Sequence, residues 1–374
     1  MSAPGSWAVS IVVPEEFLNR LAASGIGDGI VTPGFAQTFQ LPMMGPMDLA
    51  VGMTITGVEF QMAAEHPGRL VATIRAAGTV ELVGEAPMPL LPGVVRARGD
   101  VLVEPIVELA ADGSFRAILD VGNSTLIDMV LEGIDGLPAD ADAQLQMSQM
   151  LFSALGGDLF AALADQLGSI GLELDVEMSA PVVEMGVRAG RAVITMEDGR
   201  MIVGLPGVDG LDGHADIVDV SGRRVGVGLA SDSLSVLCAR LAAQAVGGDL
   251  PWEVTVDTSD RRLGTRVRST RLVESSLLPD LRTSLRTTLR PRLVDGQVEI
   301  GVREAWVELP GVPSAINRIS RFVGGIASRA PLSVRVPASV DLPVRPDSDT
   351  TMRMSVTSID VAEHGVAVTL DASW

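Results

Sequence analysis

The sequence predicts an α+β fold of two related halves, each a long curled antiparallel sheet wrapped around helices. Three observations predict it. A strand-then-helix phrase occurs twice, apolar positions alternate with period two through much of both halves, and four stretches switch to helical spacing.

The first copy of the phrase runs from Val9 to Ala22 and the second from Val225 to Cys238. Laid over one another, Val13, Leu18 and Leu21 fall on Leu229, Leu234 and Leu237. In each, a short apolar run reaches Pro14 or Ser231-Asp232, and a helical pattern with an acidic first turn follows. The unbonded amides and positive end of a helix start favour such residues. A phrase repeated this far apart argues for internal duplication.

The elements follow in order. A helix is expected over about 14–25. Residues 35–132 then read as an antiparallel meander, with alternation at Met47–Thr56, Leu70–Arg75, Val101–Leu109 and Phe115–Val121. Its turns fall at His66-Pro67-Gly68, Leu91-Pro92-Gly93 and Ala111-Asp112-Gly113. A helix follows over about 139–168, with Leu151, Leu155, Leu159, Leu163 and Leu167 every four residues and a bend at Gly156-Gly157. Strands come next at 172–178, 191–196 and 200–205, the last two joined at Asp198-Gly199. Gly- and Asp-rich residues 206–222 are the expected linker between a first half, 1–205, and a second, 223–374.

The second half repeats this order in less space. It reads as a helix over 231–246, strands over 252–274 and 285–309 with a turn at Asp295-Gly296, and a helix over about 313–328. Strands over 332–342 and 351–372 close the chain. A long twisted sheet with one apolar face curls and needs apolar material inside the curl. The helical stripes supply it, leaving either a packed core or a seam that admits an apolar ligand.

Composition narrows the function classes. Apolar residues are 47% of the chain, yet aromatics are 3% and Tyr is absent, so Leu, Val, Ile, Ala and 16 Met build the interior. Met fills irregular space and adapts to it. All 28 basic residues are Arg. Residues 1–180 hold 6 Arg against 23 acids, while residues 181–374 hold 22 against 24. The first half therefore repels nucleic acid and anionic membrane, whereas the second can attract anions locally. The single cysteine, Cys238, forms no internal disulfide and reads as a buried thiol. No signal peptide or transmembrane segment is visible, so a cytoplasmic location is expected, with leaderless export left open.

The two phrases, above all Val227-Gly228-Leu229-Ala230-Ser231-Asp232-Ser233-Leu234, resemble the tubular lipid-binding superfamily. So do the run from Leu289 through Asp295-Gly296 to Ile300 and the closing hairpin through Glu363-His364-Gly365. The members most alike are those similar to bactericidal/permeability-increasing protein and the bacterial toxin-cluster accessory proteins. The resemblance implies two sheet-and-helix halves joined in an elongated tubular architecture, with lipid or another apolar ligand held between helix and sheet. The matching seam positions are Phe17, Leu18, Leu21, Leu151, Leu155 and Leu159, then Leu234, Leu237, Leu241, Ile316, Ile319 and Phe322. Unlike the animal plasma members, this chain lacks a disulfide. Its acidic first half argues against the endotoxin binding of members with a basic tip there.

Catalytic signals are absent. There is no Gly-x-Ser-x-Gly elbow, and a Walker loop is impossible without Lys. His66, His214 and His364 are scattered. Asp209, Asp212, His214 and Asp216 read as solvated linker rather than a metal site, so no cofactor or metal is expected. Nine Arg between Arg261 and Arg292 face only Glu274 and Asp280. Among them Arg266 and Arg268 share a strand face, while Arg282, Arg286 and Arg290 step by four if helical. Arg forks suit phosphate and carboxylate, so an anionic headgroup or an acidic protein is the partner expected there. Nucleic acid is not, because stacking aromatics are scarce. The reading is a non-enzyme that binds, and in some settings transfers, lipid or another apolar ligand. The alternative is a scaffold with a filled core that acts through its surface.

Overall fold

The computed structural model describes residues 7–27, 30–31, 34–41, 45–63, 65–83, 88–89, 93–111, 115–135, 146, 174–176, 186–208, 214–246, 252–258, 262–269, 284–308, 333–343 and 351–374. Three antiparallel sheets organise them. The first, seven-stranded, has the order β11 (Val193–Glu197), β12 (Arg200–Pro206), β1 (Trp7–Pro14), β13 (Arg224–Ala230), β21 (Gly365–Ser373), β20 (Thr351–Val361) and β19 (Ser339–Pro343). The second runs β2 (Ile30–Val31), β4 (Gly45–Gln61), β5 (Leu70–Leu82), β7 (Val95–Leu109), β8 (Phe115–Ile134) and β9 (Leu174–Val176). Attached to it are β3 (Phe35–Leu41), β6 (Met88–Pro89) and β10 (Gly190–Arg191). The third has the order β14 (Trp252–Asp257), β15 (Leu263–Ser269), β16 (Ser284–Val294), β17 (Gln297–Glu308) and β18 (Ser333–Pro337). The helices are α1 (Glu15–Ile26) and α2 (Ser231–Val246).

This corrects the expected α+β class. Strands dominate the described residues, against two short helices, so antiparallel sheets rather than sheet-wrapped helices carry the architecture. Apart from residue 146, which is helical, the helices expected over 139–168 and 313–328 lie outside the described residues. The strands run longer than their alternation suggests: β4 has 17 residues, β7 has 15 and β8 has 20. Register shifts at Ile55/Gly57, Asp100/Val101 and Leu102/Glu104 explain this. A bulge resets which face the odd residues take without ending the strand, so a window scan sees several short strands in one long one.

The two β–α phrases lie side by side. β1 pairs antiparallel with β13, Val9 opposite Leu229 and Ile11 opposite Val227. Their outer neighbours match as well: Val203 of β12 opposes Ile11, and Val368 of β21 opposes Val227. The hairpin turns then meet the helix starts in the same way. The Glu15 amide donates to the Gly199 carbonyl at 3.0 Å, and the Ser231 amide donates to the His364 carbonyl at 2.9 Å. One turn further, Asn19 on α1 clamps the backbone of Phe60, accepting from its amide and donating to its carbonyl. The corresponding Ser235 on α2 accepts from the Val256 amide at 2.7 Å. Each helix is thus pinned to a second sheet through polar side chains, Asn19 being joined on α1 by Glu15, which accepts from the Met62 amide at 2.8 Å.

Each helix also fills the angle between two sheets. Phe17 is buried with Val9, Val13, Val203 and Val225, while Leu18 packs both there and against Phe60, Leu70 and Val101 of the second sheet. Leu234 and Cys238 of α2 pack with Val256, Leu263 and Val366, where the third sheet meets the first. The hairpin turns at Asp198-Gly199 and Asp295-Gly296 hold both central residues at positive φ, as a two-residue I′ turn requires.

The other face of the first sheet is covered by the segment expected to be the linker. Residues 209–213 lie outside the described part, but 214–222 form a strap across β1 and β13. The Ala215 amide bonds Trp7, the Ser10 hydroxyl donates to the Asp216 carbonyl at 2.7 Å, and Ala215, Val218 and Val220 pack on Val12 and Ile202. Glycines make this approach possible. A Cβ on Gly226 would sit 2.6 Å from that of Val218, and one on Gly228 would collide with the Asp216 carbonyl and the Ser10 hydroxyl. We expect Gly228→Ala to cost about 1–3 kcal/mol through overpacking. Gly52→Ala, whose new methyl meets only the Thr79 hydroxyl at 3.9 Å, serves as the control. Thermal unfolding distinguishes them, and an unchanged midpoint for Gly228→Ala would remove the strap's seat from the account.

Candidate functional site

A cavity lies where the strap, the β20–β21 hairpin and one end of the β15–β16 ladder of the third sheet converge. β19 pairs with β20 only over Thr351–Ser355, so no described strand covers Ser358–Val361 on that side. β15 and β16 pass nearby instead, and a cleft of about 1090 Å³ remains between them. This is at the upper end of small-molecule pockets, which run about 300–1,000 Å³.

Its lining is mixed. Apolar surface comes from Ile217 and Val218 of the strap, Leu263, Leu289 and Pro291 of the third sheet, and Ile359, Val361 and Ala367 of the hairpin. Ile217 stands 44% exposed, so apolar surface faces the opening rather than a filled interior. Polar groups are divided between the walls. Arg262, Thr288 and Arg290 stand on the third sheet, while Asp360 and Glu363 stand on the hairpin and Asp216 and Asp219 on the strap. Two of the acids are engaged: Asp216 accepts from the His364 amide at 3.0 Å, and Asp219 pairs with Arg200 at 2.6 Å. Buried Thr258 donates to the Glu363 carbonyl and fixes the hairpin tip.

The equivalent place beside α1 is closed. Leu70 opposes Val103 there as Leu263 opposes Leu289 here. But Met62 and Met196 pack into the angle between the sheets, β10 bonds to β7, and Arg191 pairs with Glu104. Among the described residues the junction beside α2 is thus open where its counterpart beside α1 is filled.

No protein-family model matches the chain, and no curated protein matches it. Among solved structures it is similar to a lipopolysaccharide binding protein, at 10% identity and TM-score 0.32, with 98% of this chain and 99% of that one covered. It is also similar to P47 of Clostridium botulinum E1, at 12% identity and TM-score 0.43, with 99% of each chain covered. At these scores the likeness carries no chemistry across.

The expected seam residues are placed as follows. Phe17, Leu18 and Leu21 belong to the packed core around α1, with the Phe17 ring 5.9 Å from that of Trp374. Leu234 packs beneath the cleft, and Leu237 is half-buried on α2. Leu151, Leu155, Leu159, Ile316, Ile319, Phe322 and Arg282, with the side chains of Leu241 and Arg268, lie outside what is described. Arg286 and Arg290 step by four along a strand, not a helix, and Arg266 sits directly opposite Arg286. Of the expected site residues that are described, Arg290 alone lines the cleft.

Arg262 belongs to the basic run between Arg261 and Arg292 but was not among the expected contacts, and neither were Ile217, Asp360 and Glu363. The signal available was positional: Arg262 and Arg290 stand where the first β–α unit carries Arg69 and Glu104. His214 and His364, far apart in the chain, come to 6.4 Å edge to face. Of the four residues weighed as metal ligands, Asp209 and Asp212 lie outside the described part. No cluster of three His, Cys, Asp or Glu suited to a metal occurs among the described residues. No described helix is long and apolar enough to cross a membrane.

Cys238 lies under the cleft floor, and burial pushes its thiol up from the ordinary range. The neutral form is favoured only when folded, so this contribution to stability is present at neutral pH and lost as pH rises through the raised value. We expect Cys238 to react with a thiol reagent at about pH 8 much more slowly than a free cysteine, and at the free rate after unfolding. Stopped-flow labelling with and without denaturant checks this, and equal rates would contradict the burial.

Proposed function

We propose that the chain is a non-catalytic carrier that binds a lipid-class apolar molecule in the cleft between strap, closing hairpin and third sheet. The observation that supports it is apolar surface left open at a junction whose counterpart beside α1 is filled. Burying apolar area contributes about 25 cal/mol per Å², so an exposed, concave apolar lining is a binding surface for whatever can cover it. Arg and carboxylate groups at the rim set orientation rather than drive binding, as polar groups do in most small-molecule sites. Transfer follows from the same geometry, because a ligand held at an open sheet edge enters and leaves without unfolding the core.

The direct test is to purify the chain from its native host, denature it, extract with organic solvent and analyse the extract by mass spectrometry. A stoichiometric apolar molecule is expected. A clean extract, followed by no uptake from offered lipids, would end the carrier reading. To locate the site, Ile217→Asp should weaken binding of an offered apolar probe by about tenfold, the equivalent of losing a partly buried aliphatic side chain. It should leave thermal unfolding unchanged, since Ile217 is exposed. Unaltered affinity would place the ligand elsewhere.

A further inference from the structure

We propose that the cleft selects a zwitterionic head group, with phosphate held between Arg262 and Arg290 and a tethered ammonium facing Asp360 and Glu363. This rests on the carrier reading and names the ligand class of the same cleft.

The argument begins with the ladder. Leu263 opposes Leu289 at the end of the β15–β16 pairing, so the next step outward sets Arg262 opposite Arg290. Both are exposed, both line the cleft, and neither makes an ion pair or hydrogen bond with any described residue. Like charges directly opposite across an antiparallel pair repel. The pair beside α1 lacks this problem. There Leu70 opposes Val103, the next step sets Arg69 opposite Glu104, and Glu104 is already engaged by Arg191. Where one unit satisfies its charges internally, the other presents two guanidinium forks to a cavity. Two such forks match the oxygens of one phosphate, and sharing it turns their repulsion into charge-assisted hydrogen bonding.

The opposite wall decides the rest of the head group. Asp219 is neutralised by Arg200 and Asp216 is engaged with the hairpin backbone, which leaves the exposed Asp360 and Glu363. Neither bonds an Arg across the cleft. A purely anionic head would gain the two Arg but face two carboxylates. A purely cationic head would meet the reverse, and a neutral sugar head would form no ion pair with either wall. A phosphate joined to an ammonium by a short linker satisfies both. The apolar lining between the walls takes the tail.

Four probes below their micellar concentrations separate the possibilities: dodecylphosphocholine, dodecyl phosphate, dodecyl maltoside and phosphocholine without a chain. Calorimetry of the intact protein should rank dodecylphosphocholine tightest. Arg290→Glu, which recreates the charge arrangement found beside α1, should weaken that probe by about tenfold or more, as expected for losing a charge-assisted contact. It should leave dodecyl maltoside affinity unchanged, and by relieving the Arg262–Arg290 repulsion it should not lower the unfolding midpoint. Arg262→Gln should act in the same direction and guards against an effect peculiar to one variant.

If dodecyl maltoside binds as tightly as dodecylphosphocholine, or neither variant discriminates between them, the head-group proposal is overturned while the cleft stands. Dodecyl phosphate binding as tightly as dodecylphosphocholine overturns the zwitterion in favour of a simple anion site. If phosphocholine alone matches its dodecyl form, the clamp is supported and the apolar carrier reading fails. Binding of no amphiphile overturns both.

Discussion

Pairing of β1 with β13 is the contact on which the rest of the molecule depends. One face presents Val9, Ile11, Val13, Val227 and Leu229 to α1 and the core around Phe17. The other, where Ser10 lies opposite Gly228 and Val12 opposite Gly226, receives the strap. The choice of faces is binary, because a slip of one residue would send Val9, Ile11 and Leu229 towards the strap and leave the helix side without a core. The positions of α1, α2 and both hairpin turns follow from this register, since the Glu15 and Ser231 amides bond to Gly199 and His364 across neighbouring strands. The candidate cleft is a secondary consequence. It exists because the third sheet is pinned to α2 through Ser235 while β19 stops short along β20.

Equivalent frameworks can carry opposite outcomes at equivalent positions. Beside α1, flexible Met62 and Met196 occupy the angle between sheets and an Arg–Glu pair seals its rim. Beside α2, Thr258 stands opposite Leu263 at the comparable place, and its hydroxyl is turned to the hairpin backbone. A short side chain committed to a hydrogen bond leaves space that a Met would fill. The difference between a closed and an open junction therefore rests on few residues, and the sheet topology around them need not change.

What could be read in the sequence was what is encoded locally. Ser231-Asp232 followed by apolar residues at helical spacing fixes α2 at Ser231–Val246, and Asp-Gly at 198–199 and 295–296 fixes two tight hairpins. The doubled phrase was legible because its apolar positions recur in register. The balance of strand over helix was not, since bulges in β4, β7 and β8 reset the alternation and hide the length of each strand. Arg290 was legible as part of a basic run, but its neighbours depended on whether 282–290 is helix or strand. The cleft itself was out of reach. Its walls come from the strap, from β15–β16 and from the closing hairpin, which share no local pattern and meet only through the order of strands in the first sheet.

That strand order also has a bearing on how the chain is made. β1 leaves the ribosome well before its partners, which are β12, at Arg200–Pro206, and β13, at Arg224–Ala230. β13 in turn pairs with β21, at Gly365–Ser373, which follows later still. Until those strands emerge the nascent protein carries an apolar strand with both hydrogen-bonding edges unclaimed, the condition under which chains pair with one another. The second sheet, whose strands β4, β5, β7 and β8 are neighbours in sequence, can assemble in the meantime and offer α1 a surface through Asn19 and Leu18. Docked there, the helix would draw β1 towards the growing protein and shorten the interval in which it is available to strangers.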